Sequence, residues 1–315
     1  MKKILVKHTY QRVLKFIMVD IWHLDLSELS IMKARMIRYL KVFIMTVRGF
    51  TSDKVNLQAQ SLTYFSTMSV VPFVAVVFAV TNGFGYGSEM ENLIYKYFEG
   101  NELIINYLLK FAGNIVTSLE NGIFGLITFL MLISTVIFLM LNIEKAFNDI
   151  WKVSGGRSIH KRLTYYPILL LVSPFVVLIF MSLGLLYTDS LKSIGLEIDW
   201  IIPITSIFTW IILYGVVVVV FTMMYFLIPN TKVKFAAAFN SALILAMAFI
   251  VVQVFYVETQ LLVSGLNAVY GVFAAIPLFL VWMNISWTLI LFGAELSHAF
   301  QNVDNYTIDH EQDII

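Results

Sequence analysis

The sequence predicts an all-α, polytopic membrane protein with six transmembrane helices and both termini cytoplasmic. Amphipathic helices are expected before the first span and in the first outside loop. Three observations predict this class. Hydrophobic residues make up 59% of the 315 and charged residues 13%, with a mean hydropathy of +0.84, more apolar surface than a soluble domain can bury. Five stretches reach the roughly 20 residues needed to cross the hydrocarbon core with no charge inside them. The basic residues concentrate in alternate connections, as retention of positive charge on the cytoplasmic side requires.

The chain divides into a cytoplasmic helical segment (1–54), a transmembrane domain (55–300) and a short acidic cytoplasmic tail (301–315). The opening Met1-Lys2-Lys3-Ile4-Leu5-Val6-Lys7-His8 is basic, but its apolar run of three residues is too short for a signal-peptide core. Val13, Phe16, Ile17, Trp22 and Leu24 with interspersed Lys and Arg suggest one amphipathic helix, and Met36 to Phe50 another. Such helices either attach to anionic lipid or pack beneath the bundle, and packing is the favoured reading.

The uncharged spans are 62–82, 123–143, 163–187, 201–228 and 235–257. Thr259 to Ala294 is also uncharged but too long for one crossing, which places the sixth span near 272–294. Gly265, Asn267 and Gly271 make 259–271 a loop or re-entrant piece. Between the first two spans, Ile104, Leu108, Phe111, Ala112, Ile115 and Leu119 recur at helical spacing, an apolar stripe on a helix that lies on the membrane or caps the bundle. With the amino terminus inside, the cytoplasmic connections carry 18 Lys and Arg and the outer ones 3.

Polar groups within the spans set the candidate pathway. Pro72, Pro174 and Pro277 lie inside spans, where proline either creates the broken helices of transporters or reflects its general frequency in membrane helices. The first span opens with a hydroxyl-rich stretch, Ser61, Thr63, Tyr64, Ser66, Thr67 and Ser69, preceded by Gln58 and Gln60, which line a mouth or cap the bundle. Asn284 between Trp282 and Trp287, with Gln253 and Asn240, serves either as interhelical glue or, less commonly, as a substrate contact. Glu144, Glu258 and Glu295 fall at span ends, where water or headgroups would solvate a mouth carboxylate. Ala238, Ala242 and Ala246 form a small-xxx-small packing face.

No catalytic residue is expected. The absence of cysteine removes disulfides, thiolate metal sites and thiol nucleophiles. His8, His23, His160, His298 and His310 stand apart without zinc-ligand spacing, and Gly155-Gly156 lacks the GK[ST] ending of a phosphate loop. No metal or cofactor is therefore expected. Lys152, Arg157, Lys161 and Arg162 are explained better by topology than by nucleic acid, which is not an expected partner.

Three segments resemble the YihY/BrkB family of bacterial inner-membrane proteins. They are Gln60-Ser61-Leu62-Thr63-Tyr64-Phe65 leading to Ser69-Val70-Val71-Pro72, then Ala146-Phe147-Asn148-Asp149-Ile150-Trp151, and finally Tyr270-Gly271 through Ala275-Ile276-Pro277 and Trp282 to Ser286-Trp287 and Gly293-Ala294-Glu295-Leu296. The resemblance spans most of 50–300. It implies a bacterial inner-membrane location and six helices with cytoplasmic ends, as does the charge count. A ribonuclease label attached to such proteins has no metal-ligand cluster to support it here.

The leading expectation is a transporter or exporter of an amphiphilic or anionic envelope-related solute or lipid. A non-transporting scaffold in envelope assembly is the alternative, and a membrane enzyme the least favoured reading. Expected partners are the bilayer, anionic lipid, and either further copies of the chain or envelope proteins.

Overall fold

The computed structural model describes residues 20–24, 29–83, 85–97, 106–107, 109–110, 113–114, 117, 122–158, 201–264 and 268–306. Among the described residues every regular element is helical. The principal helices are α1 (Ile31–Ser52), α2 (Val55–Gly83), α3 (Gly87–Tyr97), α4 (Gly122–Ile150), α5 (Ile201–Leu227), α6 (Phe235–Ser264) and α7 (Ala268–Asn302). The expected spans 62–82, 123–143, 201–228, 235–257 and 272–294 fall on α2, α4, α5, α6 and α7. The span at 163–187, with Pro174, lies outside the described residues, as does most of the segment around Val13 and of the outer helix at 101–119.

The long helices overrun the hydrophobic core. At 1.5 Å per residue the 29 residues of α2 reach about 43 Å against the ~30 Å of hydrocarbon. Among the described residues three stretches, Trp210–Leu227, Phe235–Gln260 and Ala274–Asn305, are long and apolar enough to cross a membrane by length and composition. In α7 the 27 residues before Glu295 already extend about 40 Å, more than the thickness of a hydrocarbon core. Many exposed side chains on these helices are apolar: Ile211, Val219, Met223, Met247, Phe255, Val281 and Ile285 point outward. Outward-facing apolar groups suit a lipid solvent.

The helices pack in the order α5, α6, α7, α2, α4, with α1 laid against α7. Small residues let α6 and α7 meet: Ala238, Ala242 and Ala246 are fully buried, and Ser241 Oγ donates to the Gly293 carbonyl. A Cβ at Gly293 would fall 2.6 Å from Tyr225 Cζ and 2.9 Å from Leu245 Cγ. That glycine is therefore where α5 and α6 both reach the backbone of α7.

The starts of α2 and α6 and the ends of α4, α5 and α7 lie together with α1, at what is called here the α1 end. α1 turns into α2 through Asp53 and Lys54, whose N–H groups bond back to Gly49 and Thr51; Lys54 takes a left-handed φ of 52°. One face of α1 buries Val42, Ile44 and Met45, while Met32, Met36, Phe43 and Val47 face outward. The short turn at Asp20–His23 docks here as well, with Ile21 buried and Trp22 against Tyr306 and Lys41. This short turn thus packs against Lys41 of α1 and Tyr306 beyond the end of α7.

Three expectations need correction. The loop or re-entrant piece at 259–271 is instead mostly helix, with α6 running to Ser264 and α7 starting at Ala268, because the uncharged residues on either side of Gly265 extend the helices beyond the hydrocarbon. The prolines do not break their helices: α2 continues through Pro72 and α7 through Pro277, the latter exposed. Glu144 and Glu295, expected to be solvated mouth carboxylates, are each only 2% exposed, because chain segments remote in sequence fold over them.

Candidate functional site

The polar residues of the first span form a seam with α7. Trp287 Nε1 donates to Ser66 Oγ at 2.9 Å, and Asn284 Nδ2 reaches Thr63 Oγ1 at 3.4 Å. Thr63, Thr67 and Ser69 also donate to the carbonyls of Ala59, Thr63 and Phe65, four residues back. This is how hydroxyls are satisfied inside a membrane helix. On the other flank of α7, Trp282 Nε1 donates to Gln253 Oε1 at 3.1 Å and its ring stacks on Tyr256 at 4.6 Å. Asn284, Gln253 and Ser66 are thus joined to neighbouring helices, whereas Tyr64 is 62% exposed. Gln60 and Glu258 are also exposed and join neither contact set.

At the α1 end the carboxylates and amides act on backbone. Glu144 Oε1 accepts from the Arg157 N–H at 2.8 Å, and Asn148 Oδ1, one turn later on α4, accepts from the Asn230 N–H at 2.8 Å. The Arg157 guanidinium donates to the Leu227 carbonyl at the end of α5. From α7, Gln301 accepts from the Lys234 N–H at 2.6 Å and donates to the Lys232 carbonyl at 3.1 Å. Glu144, Asn148 and Gln301 therefore clamp the connections at 151–158 and 228–234 onto the bundle.

Beside the clamp lies a cluster drawn from three parts of the chain. Lys152 Nζ is paired with Asp53 Oδ1, Glu295 presses on Gly49 of α1, and Trp151 meets His298 edge to face at 5.2 Å. The turn at Asp53 also borders an open groove of about 420 Å³ lined by Asp53, Lys54, Leu57, Gln58, Ser61 and Asp149. Of the polar residues at the start of the first span, Gln58 and Ser61 line this groove and Gln60 does not. Of the three candidate carboxylates, only Glu295 contacts this cluster, Glu144 belongs to the clamp, and Glu258 lies on the part of α6 far from both. Among the described residues no three His, Asp or Glu side chains gather as a metal-binding group.

Sequence reasoning did not single out Asp53, Asn148, Gln301, Gly49, Tyr225 or Gly293 as individual contributors. The signal available for Asn148 was its place in Ala146-Phe147-Asn148-Asp149-Ile150-Trp151, whose Phe147, Ile150 and Trp151 are core residues. Asp53 offered no such signal, since its partner Lys152 is 99 positions away.

Long apolar helices with lipid-type exteriors, tied by interhelical bonds and closed at one end by polar clamps, define an integral α-helical membrane protein. The family model described as virulence factor BrkB matches residues 46–313, and the chain belongs to that family. It is 30% identical over 269 residues to a UPF0761 membrane protein of Alcanivorax borkumensis, covering 82% of this chain and 59% of that one. It is 26% identical over 267 residues to UPF0761 membrane protein NTHI0384 of Haemophilus influenzae, covering 81% and 93%. A UPF0761 membrane protein of Legionella pneumophila is 28% identical over 264 residues, 81% and 60% of the two chains. The chain therefore spans under two thirds of the length of some of these relatives and nearly all of another. No solved structure matches.

Proposed function

We propose that the chain is a transporter or exporter in a bacterial inner membrane, moving an amphiphilic or anionic envelope-related solute or lipid, and that its α1 end faces the cytoplasm. The observation that carries this reading is the groove at the start of α2, where Asp53, Lys54, Gln58, Ser61 and Asp149 offer both charge signs beside Leu57. That mixture suits an amphiphile with a polar head. The 18-to-3 charge count supports the orientation. The sixth crossing is supported by connectivity: α4 ends at the α1 end, while α5 runs toward it and so begins at the opposite end. Both termini are then cytoplasmic.

Anionic lipid is the partner we assign to the outward apolar face of α1, which Lys33, Arg35 and Arg38 accompany. Association with further copies or with envelope proteins belongs to the same reading, and no enzymatic step is part of it. The second reading, a scaffold that moves nothing, is favoured by one observation: Ser66, Asn284 and Gln253 are engaged in interhelical bonds.

Flux into proteoliposomes separates the two. Purified protein is expected to raise the movement of labelled lipid or of anionic amphiphiles above that of empty vesicles. No added flux across a broad panel of both would leave the scaffold as the function.

A further inference from the structure

Asp53 and Glu295 are 242 positions apart in the chain and meet at the α1 end. Glu295 is 2% exposed, and the Asp53 side chain is 7% exposed. Both meet at Gly49: the Asp53 N–H bonds to its carbonyl and the Glu295 carboxyl packs against its Cα, which sets the two acids beside each other. Asp53 Oδ1 takes the Lys152 ammonium, but Asp53 Oδ2 and Glu295 Oε1 are both buried and have no donor among the described residues. The absence of a side chain at Gly49 creates the room for this approach, since a Cβ there would fall 2.9 Å from Glu295 Cδ.

Two ionised carboxylates in contact and out of water repel each other, and each loses hydration it does not recover. A single proton between them turns that repulsion into a short, charge-assisted O–H···O bond and gives both orphan oxygens a partner. The charge balance points the same way. Lys152, from the segment after α4, neutralises one carboxylate. His298, one turn further along α7, packs its ring against Trp151. α1 brings the Gly49 backbone with Arg48 beside it, and the charges acting on Glu295 are those of Asp53 and Lys152. Arg48 forms no ion pair with either acid among the described residues, so for Asp53, Glu295 and Lys152 taken together one negative charge remains, and one proton cancels it.

We infer that Asp53 and Glu295 form a proton-binding pair that joins the α1–α2 turn to α7. The groove supplies the route for the proton, because Asp53 lines it while facing Glu295. With the proton in place the turn is bonded to α7. Without it, two like charges face each other across that contact and push the turn away, widening the groove at Lys54 and Gln58. This pair does not depend on the transport reading, since it is present in a chain that moves nothing.

Infrared spectroscopy of the full chain in detergent tests it. At neutral pH the parent protein is expected to show the C=O stretch of a protonated carboxyl that shifts in D2O. That band should be lost in Glu295→Gln and in Asp53→Asn, where an amide replaces the shared proton. Lys152 is 60% exposed, so Lys152→Met should fold normally; removing its ammonium should keep the band to higher pH than in the parent. A parent spectrum without such a band, a band that survives both amide substitutions, or a pH range unchanged in Lys152→Met would overturn the pair. The parent and Lys152→Met decide the matter even where the amide variants do not fold.

Discussion

Trp287 on α7 donates its indole N–H to Ser66 Oγ on α2 across 2.9 Å, and both side chains are buried. Lipid cannot satisfy an indole N–H, so the bond specifies how α7 sits against α2. Ser66→Ala removes the acceptor and is expected to destabilise the folded state by about 0.6–2 kcal/mol. A double-mutant cycle with Trp287→Phe, read by reversible unfolding in mixed micelles, should return a coupling of that size. A coupling of zero would mean the two helices are registered by packing alone.

Gly293 predicts a steric effect of a different kind. Gly293→Ala drives a methyl group into Tyr225 and Leu245, and overpacking of this sort costs about 1–3 kcal/mol. The Tyr225 hydroxyl is buried without a hydrogen-bond partner, so Tyr225→Phe should be mild on its own and should recover part of the loss in the double variant. Thermal unfolding of the four proteins measures this.

The clamp residues should act on local opening more than on global stability. Glu144→Ala and Asn148→Ala each withdraw the acceptor of one backbone N–H, those of Arg157 and Asn230. Loss of a hydrogen bond of about 1.5 kcal/mol corresponds to roughly tenfold faster amide exchange. Hydrogen exchange read by mass spectrometry should show that increase in peptides covering 151–158 and 228–234 respectively, with α6 unchanged. Glu144→Gln, which keeps an acceptor oxygen, should exchange nearly as the parent does.

Most of the described fold was legible because a membrane helix announces itself by the length of its uncharged run. The same reading missed how far the helices continue once they leave the hydrocarbon, where polarity no longer distinguishes helix from loop. Hence the loop at 259–271 was drawn too wide, since α6 runs to Ser264 and α7 starts at Ala268, and α3 at Gly87–Tyr97 was not foreseen. The Ala238, Ala242 and Ala246 face was readable from spacing. Glu144 and Glu295 were misread for one reason: a carboxylate at a span end is solvated only if nothing folds over it. The coverings come from Arg157, Asp53 and Gly49, and in two of the three cases they lie over 200 positions away in sequence.

The groove beside Gln58 is where the functional account is most exposed to test. The chain has no cysteine, so Ser61→Cys, at a position that also lines the groove, introduces a unique thiol there and leaves the Gln58–Asp53 and Asp53–Lys152 bonds in place. The most direct measurement is solute or lipid flux in proteoliposomes of this variant, before and after a membrane-impermeant thiol reagent is applied to the α1 side. The account predicts flux equal to that of the parent before labelling and its loss afterwards. Flux that persists with the thiol fully modified would contradict it.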